Sequence, residues 1–281
     1  MDASLLFLEM PARRFRRRAS IAVAVGSLFI GAGASAQSSQ TDVRNASQVQ
    51  AGVASQQRVD LGNVSGSGAS RTQANDIRQI QAGAMNRQTL SAGNVSGNAR
   101  SNTNVGNVNQ IQAGALNRQE LGIGNASGNA TANVTVNSAN QVQAGALNRQ
   151  SAQIGNASGS GRSNVHVGNM NQVQAGALNN QQLDIGNASG AGRSNVRVGS
   201  ATQVQAGALN NQRLKIGNAA GGGTSNVNVG AVVQGQAGAL NNQNLEIGNA
   251  TGGGSSRVSV GGVVQMQGGT AGNSSIRIGN N

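Results

Sequence analysis

Among its 281 residues the chain has no cysteine, no tryptophan, no tyrosine, one proline, three phenylalanines and one histidine. Without cysteine there is no disulfide framework and no thiolate to bind a metal or attack a substrate. With almost no aromatic side chains, the large rings that usually dominate a globular core are missing, and so is the stacking platform that single-stranded nucleic acid needs. The lone His166 has no second imidazole to complete a metal site or a catalytic pair, and it falls on a variable, outward column. Asp60, Asp184 and Glu246 share one repeat position but lie on non-adjacent copies, with Lys215 between the last two. They therefore make no paired-carboxylate site. Gly159-Ser160-Gly161 looks like a fragment of a phosphate loop but lacks the following Lys-Ser/Thr. Neither enzymatic chemistry nor a metal, cofactor or small-molecule substrate is expected.

Residues 1–36 differ from the rest. A basic stretch (Arg13, Arg14, Arg16, Arg17, Arg18), an apolar run over 21–33 and the small residues Ala34, Ser35 and Ala36 follow the order of a signal peptide with an A-x-A cleavage site. Cleavage after Ala36 and export through the inner membrane are predicted, which makes the protein secreted or displayed at the cell surface. All three phenylalanines (Phe7, Phe15, Phe29) and Pro11 lie in this leader. The leader also holds two acids, Asp2 and Glu9, so residues 37–281 carry 15 basic against 6 acidic side chains. Those basic residues are scattered over several repeat positions. That pattern suits nonspecific attraction to anionic polymers, not specific nucleic-acid recognition.

What the chain does have is a 31-residue unit. It begins at Gln48, follows a short segment 37–47, and recurs without insertion or deletion at Gln79, Gln110, Gln141, Gln172, Gln203, Gln234 and Gln265, where the last copy is truncated. Positions 1 and 3 are always Gln, position 5 is Gly, and positions 15 and 16 are Gly-Asn. High Gly, Asn, Gln and Ser with few charges also describes a disordered or prion-like tract. A solvated linker, however, has no reason to hold eight glutamines in register.

Positions 12 and 14 are apolar (Leu183 and Ile185) between variable polar neighbours, which is the period of a half-buried strand. Positions 25 and 27 repeat that pattern (Val196 and Val198), while position 26 runs through Gln73, Asn104, Thr135, His166, Arg197, Asn228 and Ser259 and should face water. Position 30 is always apolar and shares parity with the Gln, Gln and Gly that follow, so these are placed inward. Gly-rich stretches at positions 15 to 23 and near 28, with a bend near Gly176-Ala177-Leu178, supply three corners. The prediction is an all-β solenoid with about three short strands per coil.

Stacking coils in register puts like on like about 4.8 Å apart, so each inward amide can donate to one neighbouring copy and accept from the other. The predicted ladders are Gln50, Gln81, Gln112, Gln143, Gln174, Gln205, Gln236 and Gln267; then Asn117, Asn148, Asn179, Asn210 and Asn241; then Gln119, Gln150, Gln181, Gln212 and Gln243. Gly114, Gly145, Gly176, Gly207 and Gly238 are expected to be turn glycines. Asn-x-Ser triplets at Asn125, Asn156 and Asn187 match glycosylation acceptors but read better as corner chemistry. Position 2 (Val49, Ile80, Ile111, Val142, Val173, Val204) is apolar on the opposite strand face. An uncovered stripe there is unusual, so a second layer is expected, made either by the coil folding over it in a Greek-key-like path or by neighbouring filaments pairing.

The core Gln174, Gly176, Asn179, Gln181, preceded by Val165 and Val167, resembles the repeats of curlin subunits, and Gly-Asn-Ala-Ser-Gly followed by Asn-Val resembles units of the Fap fibre family. Curlin repeats are shorter, and Fap subunits carry long linkers and a CxxC that this chain lacks. The resemblance implies a secreted subunit that self-assembles into amyloid-like fibres of a biofilm or surface matrix. Its partners would be further copies of itself, with a nucleator subunit and an outer-membrane secretion pore as accessories. The alternative expectation is a solenoid adhesin that binds a surface or polysaccharide.

Overall fold

A computed structural model describes residues 38–280; the predicted leader lies outside them. Among the described residues there are strands and corners and no helix. Three parallel sheets of eight strands each run the length of the molecule. Sheet I starts at Ser38–Arg44 and ends at Ser255–Arg257, sheet II runs from Ser47–Val53 to Gln265–Gln267, and sheet III from Gln56–Leu61 to Asn273–Arg277. The chain visits the sheets in that order once per coil, making eight coils of a three-sheet β-solenoid.

Every ladder pairs residue i with residue i + 31: Gln141 lies beside Gln172, Leu183 beside Leu214, and Asn164 beside Asn195. The segment 37–47, expected to be a lead-in, is mostly strand: Ser38 to Arg44 pair one-to-one with Ala69 to Asn75. The coil therefore begins one strand earlier than a unit counted from Gln48 suggests, and the eighth copy completes its sheet III strand.

The interior has two compartments. Between sheets I and III, positions 12 and 14 (Leu183, Ile185), 25 and 27 (Val196, Val198) and 30 (Met170, Ala201) form one continuous apolar cluster. Sheet II faces inward with its position 1 and 3 glutamines, almost all of them fully buried. Position 26 is outward as predicted, with Thr135 half-buried and the rest of the column exposed. A smaller cluster of Val95, Ala99, Ala126 and Ala130 fills the corner after sheet III, where Val64–Ser65, Val95–Gly97 and Ala126–Gly128 form a short fourth sheet. Sequence periodicity gave no sign of that sheet, because three residues are too few to show a period.

Two expectations are corrected here. Gly114, Gly145, Gly176, Gly207 and Gly238 do not form the turn; they sit inside sheet II strands such as Asn171–Ala177, outward instead of inward, at φ of 106 to 111°. Each bends its strand so closely against the next coil that a Cβ on Gly176 would lie 1.8 Å from the Gly207 carbonyl oxygen. The bend itself comes two residues later, at Leu178 (φ 58°) and Asn179. The second correction concerns the intramolecular cover considered for position 2: Val173 and Val204 are 36% and 39% exposed, and no segment among the described residues folds over them, which leaves pairing between filaments as the other expected cover.

Gly176→Ala should therefore lower stability by at least about 3 kcal/mol, through strain at positive φ and collision with backbone. Gly168→Ala is the control: it also has positive φ (61°) but nothing lies within 4 Å of its Cβ position, so it should cost about 1 kcal/mol. Denaturant midpoints of the two variants would separate close packing from backbone conformation.

Candidate functional site

Three columns of buried glutamine run through the interior. The position 1 column is continuous from Gln48 to Gln265, each Nε2 donating to the Oε1 of the next copy at 2.7 to 3.2 Å. The position 10 column joins Gln57, Gln88, Gln119, Gln150, Gln181, Gln212 and Gln243 in the same sense at 2.7 to 2.9 Å. The position 3 column runs Gln81, Gln112, Gln143, Gln174, Gln205, Gln236 at 2.8 to 3.0 Å. All three point the same way, so the stack is polar: amide hydrogens face the C-terminal coil and amide oxygens the N-terminal one.

The position 3 column is shorter than predicted. Gln50 is exposed and donates to the Ser55 carbonyl instead, and Gln267 makes no rung with Gln236. The buried glutamine atoms without a partner are Gln81 Oε1, Gln236 Nε2 and Gln267 Oε1, all at the two ends of this one column. The C-terminal coil closes the other columns locally: Ser274 stands at position 10 and accepts from Gln265 Nε2, and Gln243 Nε2 turns to the Gln265 carbonyl.

The asparagines at position 8 are buried as expected but do not form an amide-to-amide ladder. Asn179 Nδ2 donates to the carbonyls of Ala175 in its own coil and Gly207 in the next, while its Oδ1 accepts from the Asn210 backbone N–H. Asn117, Asn148, Asn210 and Asn241 repeat this bracket. Each therefore fastens both the glycine bend and the corner beyond it. Only a short amide spans that distance with two donors and an acceptor.

Two further columns hold the coils together, the first read from sequence only as corner chemistry at Asn125, Asn156 and Asn187 and the second not singled out. At position 16 each Asn Oδ1 accepts from the backbone N–H of the copy before it, from Asn63→Asn94 to Asn249→Asn280. This places the Asn125, Asn156 and Asn187 triplets in half-buried corners. At position 23, Ser163 and its equivalents donate across the interior to the position 15 glycine carbonyl of the following copy. The invariance of Gly-Asn was the available signal for the first. The second had none beyond a recurrent Ser.

His166 is exposed, and the described residues contain no group of three or more His, Cys, Asp or Glu arranged to hold a metal. Position 13 alternates in sign, with Asp184 beside Lys215 and Lys215 3.5 Å from Glu246. Burial raises the Asp184 pKa above its ordinary value, against the opposing pull of Gln182, Arg213 and Lys215.

The fold defines a parallel β-solenoid whose site, in place of a cleft, is a set of repeating side-chain columns, one of which ends in unpartnered amide atoms in both directions. Compared with protein-family models, curated proteins and solved structures, the chain matches none of them.

Two predictions follow from this geometry. Gln174→Leu leaves Gln143 Nε2 and Gln205 Oε1 buried without partners and should cost about 2–5 kcal/mol, whereas Gln153→Leu on the outer face should cost under about 0.5 kcal/mol. Replacing Gln143, Gln174 and Gln205 together also leaves two orphans, Gln112 Nε2 and Gln236 Oε1. The triple variant should therefore cost far less than three times the single one, which a set of denaturant melts would read directly. The second concerns Asp184. Its folded pKa lies above the unfolded one, so its contribution is most favourable at low pH and declines as pH rises through the folded pKa. Asp184→Asn should be more stable than the native chain at neutral pH, with the advantage shrinking as pH falls through the folded pKa and gone below about pH 4.

Proposed function

We propose that this protein is a secreted structural subunit that polymerises end to end into amyloid-like fibres of an extracellular matrix. The observation that carries the reading is the unlike chemistry of the two ends. Toward the N-terminal coil the position 3 column stops at an unpartnered acceptor, Gln81 Oε1, and toward the C-terminal coil at an unpartnered donor, Gln236 Nε2. The flanking strands Ser38–Arg44, Ser47–Val53 and Asn273–Arg277 are largely exposed, and among the described residues nothing lies across them. An uncovered parallel edge is a template for another strand of the same kind. Unlike ends that fit each other give a head-to-tail contact, and a head-to-tail contact that does not close makes a filament.

Ordering the terminal coils at such a joint would let Gln50 and Gln267 enter the column they now stand beside. The resemblance to curlin and Fap-type repeats supports the same reading, including export by a cleaved leader and assistance from a nucleator and a secretion pore. An adhesin would need a uniform outward polar column. Positions 11, 13 and 26 change type from coil to coil, and the one uniform exposed column, Asn102, Asn133, Asn164, Asn195 and Asn226 at position 24, gives way to Arg71 and Arg257 on either side, which weighs against it.

Residues 37–281 diluted from denaturant should form detergent-resistant fibres after a lag, with a meridional reflection near 4.8 Å, and preformed seeds should remove the lag. A chain that stays monomeric for days at concentrations on the order of tens of micromolar would overturn the proposal.

A further inference from the structure

One face of the solenoid is unlike the other two. On the outside of sheet II, positions 2, 4, 5, 6 and 7 hold Val or Ile, Ala, Gly, Ala and Leu in most copies, and no copy has a charged residue at any of them. One arginine, Arg78, stands at the first residue of a sheet II strand; the others lie elsewhere, for example Arg162 and Arg193 on sheet I and Arg118, Arg149 and Arg213 on sheet III. In cross-section the face has a Val/Ile ridge, an Ala-Gly-Ala trough and, at the corner, a second ridge formed by Met85, Leu116, Leu147, Leu178, Leu209 and Leu240.

This second ridge is the informative one. All six side chains are 47–56% exposed, and all six residues are held at φ of 52 to 58°. A left-handed conformation costs a non-glycine residue roughly 1–2 kcal/mol, and an exposed Leu gains little from the fold beyond stacking on its neighbours. Asn or Gly would relieve the strain and suit water. The monomer therefore has no use for Leu at this corner, and a contact outside the monomer does.

We infer that a second copy of this chain covers the face, the Leu column of each solenoid lying in the Ala-Gly-Ala trough of the other. A flat trough lined by nothing larger than methyl groups admits a Leu ridge. The two surfaces share one axial repeat, so every rung meets an equivalent rung, and a twofold axis makes the contact self-complementary. A neutral face on a chain whose residues 37–281 carry 15 basic against 6 acidic side chains is also where two copies approach with least repulsion. A lipid surface fits less well, since the described residues offer no Trp or Tyr for the bilayer interface.

The face measures about 30 Å by 16 Å, or roughly 500 Å², by strand spacing and rise. That is large for an exposed apolar patch but below the roughly 800 Å² per partner of a standard interface. Pairing is accordingly weak between single chains and grows with every chain added end to end.

Because the chain has no cysteine, introduced ones report only on contacts between copies. Ala175→Cys mixed with Leu178→Cys should give, under mild oxidation, at least about fivefold more mixed dimer than Gln153→Cys mixed with Arg197→Cys, through raised effective concentration. Leu147→Asn, Leu178→Asn and Leu209→Asn combined should abolish that excess and, in fibres, reduce filament width, while the unfolding midpoint of the chain stays level or rises. Equal crosslinking yields, or unchanged width in the Asn variant, would overturn the pairing. Flotation with phosphatidylcholine vesicles that the Asn variant loses, without excess crosslinking, would overturn it in favour of a membrane surface. Crosslinking can be read on soluble chains as well as on fibres, so failure of end-to-end growth and failure of lateral pairing give different results.

Discussion

Everything in this molecule depends on strict stacking: a residue lies directly beside its own counterpart in the coil before and the coil after. Backbone pairing fixes that register, with Gln110 opposite both Gln79 and Gln141. Once it is fixed, each side chain must be tolerable next to itself at about 4.8 Å. An interior column can then be apolar, as at positions 12, 14, 25 and 27, or a self-complementary amide. A carboxylate or an ammonium cannot repeat inside, because like charges at that spacing repel most where water is excluded. The same restriction is visible outside in weaker form. Position 13 alternates Asp184, Lys215 and Glu246, and Arg118, stacked between Arg87 and Arg149, turns to Glu120.

How much of this could be read from sequence depends on whether a feature repeats and on how many residues express it. The existence of three strands per coil was legible from alternation at positions 12–14 and 25–27, but the later sheet I strands, such as Arg193–Asn195, end just before the position 25 and 27 valines that marked them. The glutamine columns were legible because invariance within one chain is itself an alignment. The glycine at position 5 was misplaced because parity arguments assume an unbroken strand. Its φ near 110° takes the backbone off strict alternation, so Gly176 faces outward although Gln172 and Gln174 face inward. The bracket made by Asn179 was misread for a related reason. Stacking predicts amide meeting amide, but at a corner the nearest unsatisfied groups are backbone carbonyls, and the amide goes to them. The ends of the columns could not be read at all, since Gln50 and Gln267 have the same letters as their buried counterparts and differ only in having no further coil beyond them among the described residues.

Departures from the repeat show how strictly the rule operates. Ala132 stands where other copies have the serine that crosses the interior to a glycine carbonyl, and that crossing bond is missing from its copy. In the first two copies threonine replaces valine at position 25. There the new hydroxyl meets a serine already in place, at 3.2 Å for Ser70 with Thr72 and 2.8 Å for Ser101 with Thr103. A buried hydroxyl without that neighbour would cost on the order of 1–3 kcal/mol. Polar substitutions in this core are thus accepted only beside a partner that the repeat already supplies.

The same rule links folding of one chain to growth of a fibre. An isolated coil satisfies few of its own amides, because nearly every buried rung reaches 31 residues away. Forming the first pair of coils must therefore close a loop of that length before any column is gained, whereas each later coil adds to an edge already in place. Repeat arrays of this kind behave as one-dimensional stacks, with an unfavourable start and favourable nearest-neighbour terms. A preformed edge removes the unfavourable start for whichever strand arrives next. It cannot distinguish the next coil of its own chain from the first coil of another, since both bring Gln, Asn and Val in the same order. In the proposed fibre, nucleation and elongation are then intermolecular versions of steps that each chain already takes in folding, and a chain that folds by this route carries the template for its successor at its exposed end.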